Sequence, residues 1–183
     1  MKRKIFLAIA VIFIALIAYV AYVMLTTRDH SPADTINYNN EGVSMSITYC
    51  RPFKKGRLIF GSEQEGALQP YGQYWRTGAN EATEITFEND VIFNGEKVNA
   101  GTYRFYTVPG EKEWTVALNT ELGEWGYSEP DYKLDVHKST VLAEKTNEAT
   151  EQFTIEYDPQ GNHVNIVLLW DKTMVKIPVS ATN

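Results

Sequence analysis

Seven residues in the middle of the chain have side chains of the types that bind small ligands. They are Tyr49, Arg51, Arg57, Trp75, Arg76, Asn80 and Glu81. Arginine binds carboxylate or phosphate through two parallel hydrogen bonds, and its planar group stacks on aromatic rings. In such a pocket the arginines supply charge, Asn80 and Glu81 orient the ligand, and Trp75 or Tyr49 provides a stacking face. These residue types predict a binding site for an anionic or sugar-like ligand.

The charge of this region differs from that of the rest of the chain. Residues 51–76 contain five Lys and Arg against Glu63 and Glu65, a net charge of +3. Without the three basic residues at the N terminus, the remainder has 14 Lys and Arg against 23 Asp and Glu, a net charge of −9. An acidic domain of this kind argues against nucleic acid as a partner. The alternative is that the arginines pair with acids such as Glu81 and hold long loops in place.

The segment "YWRTGANEAT" at residues 74–83 predicts either a corner or a pocket wall. Gly78 interrupts any strand or helix, and Asn80 and Glu81 follow it with hydrogen-bonding groups that face back toward Arg76. We favour the pocket. Trp75 and Trp125 border Gly-containing loops, where an exposed indole stacks on a sugar ring; the alternative is burial, the usual state of tryptophan.

Residues suited to catalysis are few. His30, His137 and His163 lack the spacing of a metal site, and a single cysteine excludes an intrachain disulfide and a C-x-x-C motif. We therefore predict no metal and no cofactor, and we assign no catalytic residue. Cys50 has no identifiable base, so a small structural residue is the default. An alternative function is an envelope hydrolase of a glycan or ester that uses Glu81 as acid or base. It would need a second carboxylate, such as that of Glu84, or a metal that activates water.

The N terminus predicts a membrane anchor. The uncharged apolar run of residues 5–25 is 21 residues long, which spans about 31 Å as a helix and matches the hydrocarbon core of a bilayer. Three basic residues precede it, so the N terminus is expected in the cytoplasm and the domain outside. A cleaved signal is the alternative. We expect residues 26–40 to form a polar stalk and residues 41–180 to form the domain.

Beyond the anchor the patterns are those of an all-β fold, an antiparallel β-sandwich or jelly roll. The segment "VSMSITY" at residues 43–49 alternates apolar and polar residues, and Asn94-Gly95 suits a type I′ hairpin turn. We expect three separate C-terminal strands, "EQFTIEY", "HVNIVLLW" and "TMVKIPV", with turns at "DPQGN" and "DK". Trp114 and Trp170 lie in strand patterns and are predicted core residues.

Two long irregular segments, 60–72 and 119–134, interrupt the strands. A third functional hypothesis is that these loops contact another envelope protein, which makes the domain a structural or assembly module. It predicts an exposed apolar patch on the loops rather than a concave pocket.

A set of short motifs occurs in a fixed order along the domain. They include "TYCRP" at 48, "KGRLIFG" at 55, "WRTGANEAT" at 75 and "AGTYRFYTVPG" at 100. In this order the chain resembles a family of exported bacterial proteins classified as a domain of unknown function, number 2911, over about residues 31–179. The resemblance implies a place in the cell envelope and no established activity. It also implies serine as the common residue at position 50, and a short signal where this chain has a long apolar run.

Overall fold

The computed structural model describes residues 2–182, with the side chains of all of them except 2, 3, 5, 7, 8, 24 and 25. The elements are α1 (Lys2–His30), β1 (Ala33–Asn40), β2 (Val43–Cys50), β3 (Phe60–Gly61), β4 (Gln69–Pro70), β5 (Glu84–Phe87), β6 (Val91–Phe93), β7 (Glu96–Val98), β8 (Gly101–Val108), β9 (Glu113–Asn119), β10 (Asp135–Pro159) and β11 (Val164–Ala181). Short 3₁₀ turns lie at Glu63–Glu65 and Tyr132–Leu134.

Within the described residues, nine strands form one sheet in the order β1-β2-β5-β8-β9-β10-β11-β6-β7, and β3 and β4 form a small parallel pair. The named pairs of the large sheet are antiparallel. The long strand β10 pairs with β9 over residues 135–142 and with β11 over residues 143–159. Phe87 of β5 packs edge-on against Phe93 of β6 across the interior. The predicted antiparallel β fold with one N-terminal apolar helix is confirmed.

The core forms because apolar residues recur every second position in the strands. Val43, Met45 and Ile47 of β2 are buried, as the alternating pattern predicts. The predicted core tryptophans, Trp114 and Trp170, are also buried. They join Trp75, Phe60 and Phe153 in one aromatic cluster. Asn94 and Gly95 have positive φ angles of 45° and 88°, which a type I′ turn requires.

Helix α1 is long and apolar enough to cross a membrane. Within the segment Ile9–His30, a window of 18 residues has a mean hydropathy of 2.6, and none of that window is buried against the rest of the protein. Length and composition suit a membrane span and suit a signal sequence equally well.

The predicted polar stalk at residues 26–40 is wrong. Residues 26–30 continue α1, and residues 33–40 form β1, which pairs along its whole length with β2. Ile36 and Tyr38, two positions apart on one face of the strand, pack against the core. The packing of these two side chains against the core stabilises the pairing of this otherwise polar segment with the sheet.

The predicted turn at "DK" is also wrong. Asp171 and Lys172 lie inside the continuous strand β11, and the pairing register with β10 shifts beside them, between Lys145 and Thr150. Asp171 does have the positive φ of 52° that a turn residue often adopts, and its carboxylate accepts a hydrogen bond from Lys54 at 2.5 Å. Asp171 therefore lies in a β-bulge and not in a turn, because β10 pairs with β11 on both sides of this position.

Candidate functional site

The segment 74–83 forms a tight corner against the end of β2. The indole N–H of Trp75 donates to the carbonyl of Gly78 at 3.1 Å, and the guanidinium of Arg76 donates to the carbonyl of Asn80 at 2.7 Å. A Cβ on Gly78 would lie 2.9 Å from the carbonyl oxygen of Cys50, which is closer than real Cβ atoms approach. Glycine at this position therefore allows the corner to touch β2.

The two aromatic residues predicted as stacking faces belong to the interior, so this prediction is wrong. Trp75 is 2% exposed and packs on Phe60 and Phe153. Tyr49 is buried as well, and its hydroxyl donates to the carbonyl of Ile155 and accepts from the Ile155 N–H. The periodic apolar pattern of β2 directs Tyr49 inward, and the corner places Trp75 in the aromatic cluster.

The structure does not bring the three predicted arginines together around one ligand site. Arg51 pairs with Asp34 at 3.1 Å and donates to the carbonyl of Phe153. Arg57 donates to the carbonyls of Lys54 and Phe53. Arg57 lines a groove of about 340 Å³ on the surface, and His30 and Lys55 line the same groove.

Arg76, the third predicted arginine, belongs to the corner. Its guanidinium holds the carbonyl of Asn80 and lies 6.0 Å from the centre of the Tyr127 ring. The three guanidinium groups are thus joined to three different parts of the protein, and each of them holds a loop or a strand end.

Asn80 and Glu81 connect the corner to the end of α1. Thr27 donates its hydroxyl to Asn80 Oδ1 at 3.1 Å, and Asn80 Nδ2 donates to the carbonyl of Ser31 at 3.3 Å. Arg28 donates to Glu81 Oε1 at 2.5 Å. The two residues were predicted from their position after Gly78, and the structure places both at the junction of helix and domain.

Loop 119–134 covers the corner from the other side. Its backbone pairs with the corner between Trp125 and Glu81, and the N–H of Gly126 donates to the carbonyl of Asn80 at 3.0 Å. A Cβ on Gly126 would lie 2.7 Å from Arg76 Cδ and 2.9 Å from the backbone nitrogen of Ala82. Only glycine fits this approach without a shift of the backbone.

A cavity of about 320 Å³ lies where the end of α1, the end of β2 and loop 119–134 meet. It is lined by Arg28, Ala33, Thr48, Tyr49, Cys50, Glu81, Ala82, Glu84, Gly123 and Glu124. Of the seven predicted residues, Tyr49 and Glu81 line the cavity. The hydroxyl of Tyr49 is bound to the backbone of Ile155, so Tyr49 contributes to the wall and offers no hydrogen-bonding group to a ligand. One arginine against three glutamates leaves the lining two charges negative.

The electrostatics of the cavity centre on Glu81 and Cys50. Burial by itself raises the pKa of Glu81, but hydrogen bonds from Arg28, the backbone and Cys50 outweigh it, so the pKa lies below its ordinary value. Burial and then the neighbouring Glu81 raise the pKa of the Cys50 thiol, whose Sγ donates to Glu81 Oε2 at 3.3 Å. Glu81 is therefore ionised near neutral pH, and Cys50 is a protonated thiol with weak nucleophilicity.

Sequence reasoning missed Arg28 and Glu124 as lining residues. Arg28 was assigned to a stalk, and nothing in the local sequence around position 124 indicates that it lies near position 81. The carboxylate of Glu84 accepts a hydrogen bond from the Gly123 N–H at 3.1 Å. Glu84 sits three positions after Glu81, and the sequence had suggested this pair as the carboxylates of the alternative hydrolase. Among the side chains that the structure describes, no group of three or more His, Cys, Asp or Glu is arranged to hold a metal ion.

Loop 119–134 also presents apolar side chains to the surface. Leu122, Trp125 and Tyr127 are all exposed, Tyr127 to 79%. Trp125 is thus available for contact, whereas Trp75, the other tryptophan beside a Gly-containing loop, is not.

Comparison with known proteins identifies the family of the chain and nothing more specific. No curated protein and no solved structure matches this sequence. Residues 31–179 match the family described as protein of unknown function (DUF2911). The match begins at Ser31, directly after α1 ends, and covers the whole sheet except the last residues of β11. The motifs around the corner and the match over most of the chain agree, and the chain belongs to the DUF2911 family.

Proposed function

We propose that this protein is a membrane-tethered extracytoplasmic domain that binds a small, neutral, hydroxyl-bearing molecule of the sugar class without transforming it. The observation that carries the proposal is the cavity around Glu81. Its volume of about 320 Å³ lies at the lower end of the range of roughly 300–1,000 Å³ for ligand pockets. Three carboxylates and the Thr48 hydroxyl line it beside the apolar walls of Ala33 and Ala82.

The charges favour a neutral ligand over an anionic one. The lining carries two net negative charges, and the predicted arginines Arg51, Arg57 and Arg76 already bind groups of the protein. Ionised carboxylates accept hydrogen bonds at both oxygens, and sugar hydroxyls are suitable donors. An anion at the same place would meet the carboxylates of Glu81 and Glu84.

The tether follows from α1 and the residues around it. The apolar run is long enough to span a bilayer, and its flanking Lys2, Arg3 and Lys4 favour a cytoplasmic N terminus. The cavity then lies on the outer surface of the membrane, where Arg28 at the end of α1 forms part of its lining.

The test is a thermal-unfolding screen of the full chain in detergent micelles against neutral oligosaccharides and organic anions. A ligand at 100 times its Kd stabilises the protein by about 2.7 kcal/mol, and we expect a neutral sugar to raise Tm. Glu81→Gln should abolish this increase, whereas Arg57→Gln should retain it. Glu63→Gln, an exposed residue outside the cavity, is the matched control. A folded protein whose Tm no sugar changes would overturn the proposal.

An envelope hydrolase is the second candidate, favoured by one observation. Glu81, Glu84 and Glu124 face the same cavity, and the lowered pKa of Glu81 keeps it ionised, as the nucleophile of a retaining glycosidase must be. Glycosidases place two carboxyl groups about 5–9.5 Å apart. Incubation of the full chain with the sugar that raises its Tm distinguishes binding from hydrolysis. Release of a cleaved product that Glu81→Gln abolishes would establish the hydrolase, and recovery of intact sugar supports binding alone.

A further inference from the structure

Loop 119–134 carries exposed aromatic residues that the cavity does not use. The four tryptophans of the chain all lie in the described residues, and Trp75, Trp114 and Trp170 are buried while Trp125 is 49% exposed. Leu122 and Tyr127 are exposed beside it. Three exposed apolar side chains within one short loop indicate a contact surface, in contrast to single residues scattered over a protein.

The contacts of this loop place it at the end of α1. Trp125 pairs through its backbone with Glu81, and Glu81 accepts a hydrogen bond from Arg28 in the last turn of the helix. The adjacent Asn80 accepts from Thr27. One backbone bridge and one side-chain contact therefore separate Trp125 from α1.

This position corresponds to the headgroup layer of a bilayer that α1 crosses. Arg28 follows Leu25, the last residue of the apolar run, by three positions, which is about 4.5 Å along a helix. The headgroup layer on each side of the hydrocarbon core is about 5–8 Å thick. The side chains that extend from the loop beside Arg28 are thus at the depth of the headgroups.

The chemistry of the loop suits the same layer. Tryptophan and tyrosine are enriched where a bilayer meets water, because each ring combines an apolar body with a polar group. The loop also contains four acids against the single base Lys133: Glu121, Glu124, Glu129 and Asp131. This negative charge disfavours a surface of anionic lipids and favours a zwitterionic one.

We propose that Leu122, Trp125 and Tyr127 insert into the headgroup layer of a zwitterionic membrane and give the domain a second membrane contact beside α1. The inference rests on the tether in the proposed function, not on the ligand. With two contacts the domain cannot rotate freely about its anchor, and the cavity around Glu81 holds a constant orientation toward the membrane.

The experiment reconstitutes the full chain in phosphatidylcholine vesicles that contain lipids brominated near the headgroup end of their acyl chains. Bromine quenches tryptophan only at close contact. We expect the wild type to lose the emission of its exposed tryptophan, and Trp125→Phe to show no such loss relative to unbrominated vesicles. Glu63→Gln should behave as the wild type. Intact mass of the reconstituted protein establishes that α1 is present.

Two results would overturn the inference. If α1 is present and Trp125 remains accessible to aqueous iodide without quenching by bromolipid, the loop lies in water and only this inference fails. If Trp125 is shielded from both quenchers, a protein partner or a second copy covers the loop instead. A mass that lacks α1 would remove the tether from the proposed function as well, whereas sugar binding at Glu81 is measured independently in micelles.

Discussion

Trp75 and Trp125 have similar sequence surroundings and opposite environments. Both border Gly-containing loops, and both were predicted as stacking faces for a sugar. Trp75 is 2% exposed and contacts Trp114, Trp170, Phe60 and Phe153. Trp125 is 49% exposed and is attached through its backbone to Glu81. The two tryptophans differ in exposure because their backbones pair with different parts of the protein. Trp75 pairs with Thr107 of β8, next to the core, whereas Trp125 pairs with Glu81 of the corner at the surface.

The two tryptophans show two different roles for an aromatic residue within one fold: Trp75 packs in the core, and Trp125 presents its ring at the surface. Trp75 holds the corner from inside through the bond from its indole to Gly78. Trp125 leaves its ring half-exposed while its backbone pairs with Glu81. A glycine-rich flank therefore indicates a turn, and it says little about the direction in which the neighbouring side chain points.

The largest expected effect distinguishes these two tryptophans by stability. Trp75→Ala removes a large core side chain and should lower the free energy of unfolding by about 3–5 kcal/mol. Trp125→Ala, at the surface, should change it by less than about 0.5 kcal/mol. Urea unfolding of the full chain in micelles, followed by near-ultraviolet circular dichroism, measures both. Equal losses in the two variants would refute the comparison.

A smaller effect tests the attachment of loop 119–134 to the corner. Gly126→Ala places a Cβ against the backbone of Ala82 and should destabilise the protein by about 1–3 kcal/mol. Gly123→Ala in the same loop has open space around its Cβ and a φ of +74°, so only backbone strain of about 1 kcal/mol is expected. Thermal unfolding gives the two values, and limited proteolysis shows whether the loop has separated. A Gly126 variant no less stable than the Gly123 variant would contradict the close approach.

The core that contains Trp75 also contains a titratable group. Burial lowers the pKa of His137, although Glu96 opposes part of the shift. The folded state therefore binds a proton less readily than the unfolded state, and stability declines as pH falls from about 6.5 through the folded pKa. His137→Gln should flatten this decline between pH 7 and 5, measured as the urea midpoint at each pH. Glu81 titrates below this range. An unchanged slope in the variant would exclude His137 as the cause.

The smallest expected effect concerns Glu81, the surface residue with which Trp125 pairs. Glu81→Gln breaks the pair with Arg28, in which the side chains of Arg28 and Glu81 are 63% and 39% exposed, so the loss of stability should be small. The same change removes a negative charge that raises the pKa of Cys50. The thiol should then react faster with an alkylating reagent at pH 8, and Glu63→Gln should leave the rate unchanged. A slower reaction in Glu81→Gln would show that Glu81 does not suppress the thiolate.

Much of the fold could be predicted because it depends on local patterns. Strict alternation in residues 43–49 identified β2, and Asn94-Gly95 identified a hairpin turn. The errors came from segments whose pattern is ambiguous until a partner strand is known. Residues 33–40 look like a polar linker but pair with β2. Asp171 looks like a turn, yet β11 continues through it because β10 pairs on both sides.

The candidate site was harder to predict because its members come from distant positions. Asn80 and Glu81 were found from their place after Gly78. The arginine that contacts Glu81 is Arg28, which lies 53 positions away in the helix, and the nearer candidate, Arg76, binds a backbone carbonyl instead. The excess of positive charge in residues 51–76 is real, but loop carbonyls and Asp34 take up its arginines.

The sequence by itself determined the apolar N-terminal helix, the antiparallel β class, the inward face of several strands and the break in regular structure at Gly78. These features follow from the period of hydrophobic residues and from backbone sterics, which act over a few neighbouring positions. Only the tertiary structure decided which tryptophan is buried, which arginine meets Glu81 and where a cavity remains. Those outcomes depend on the register and packing of segments far apart in the chain, and a one-residue shift of a strand would exchange its buried and exposed side chains.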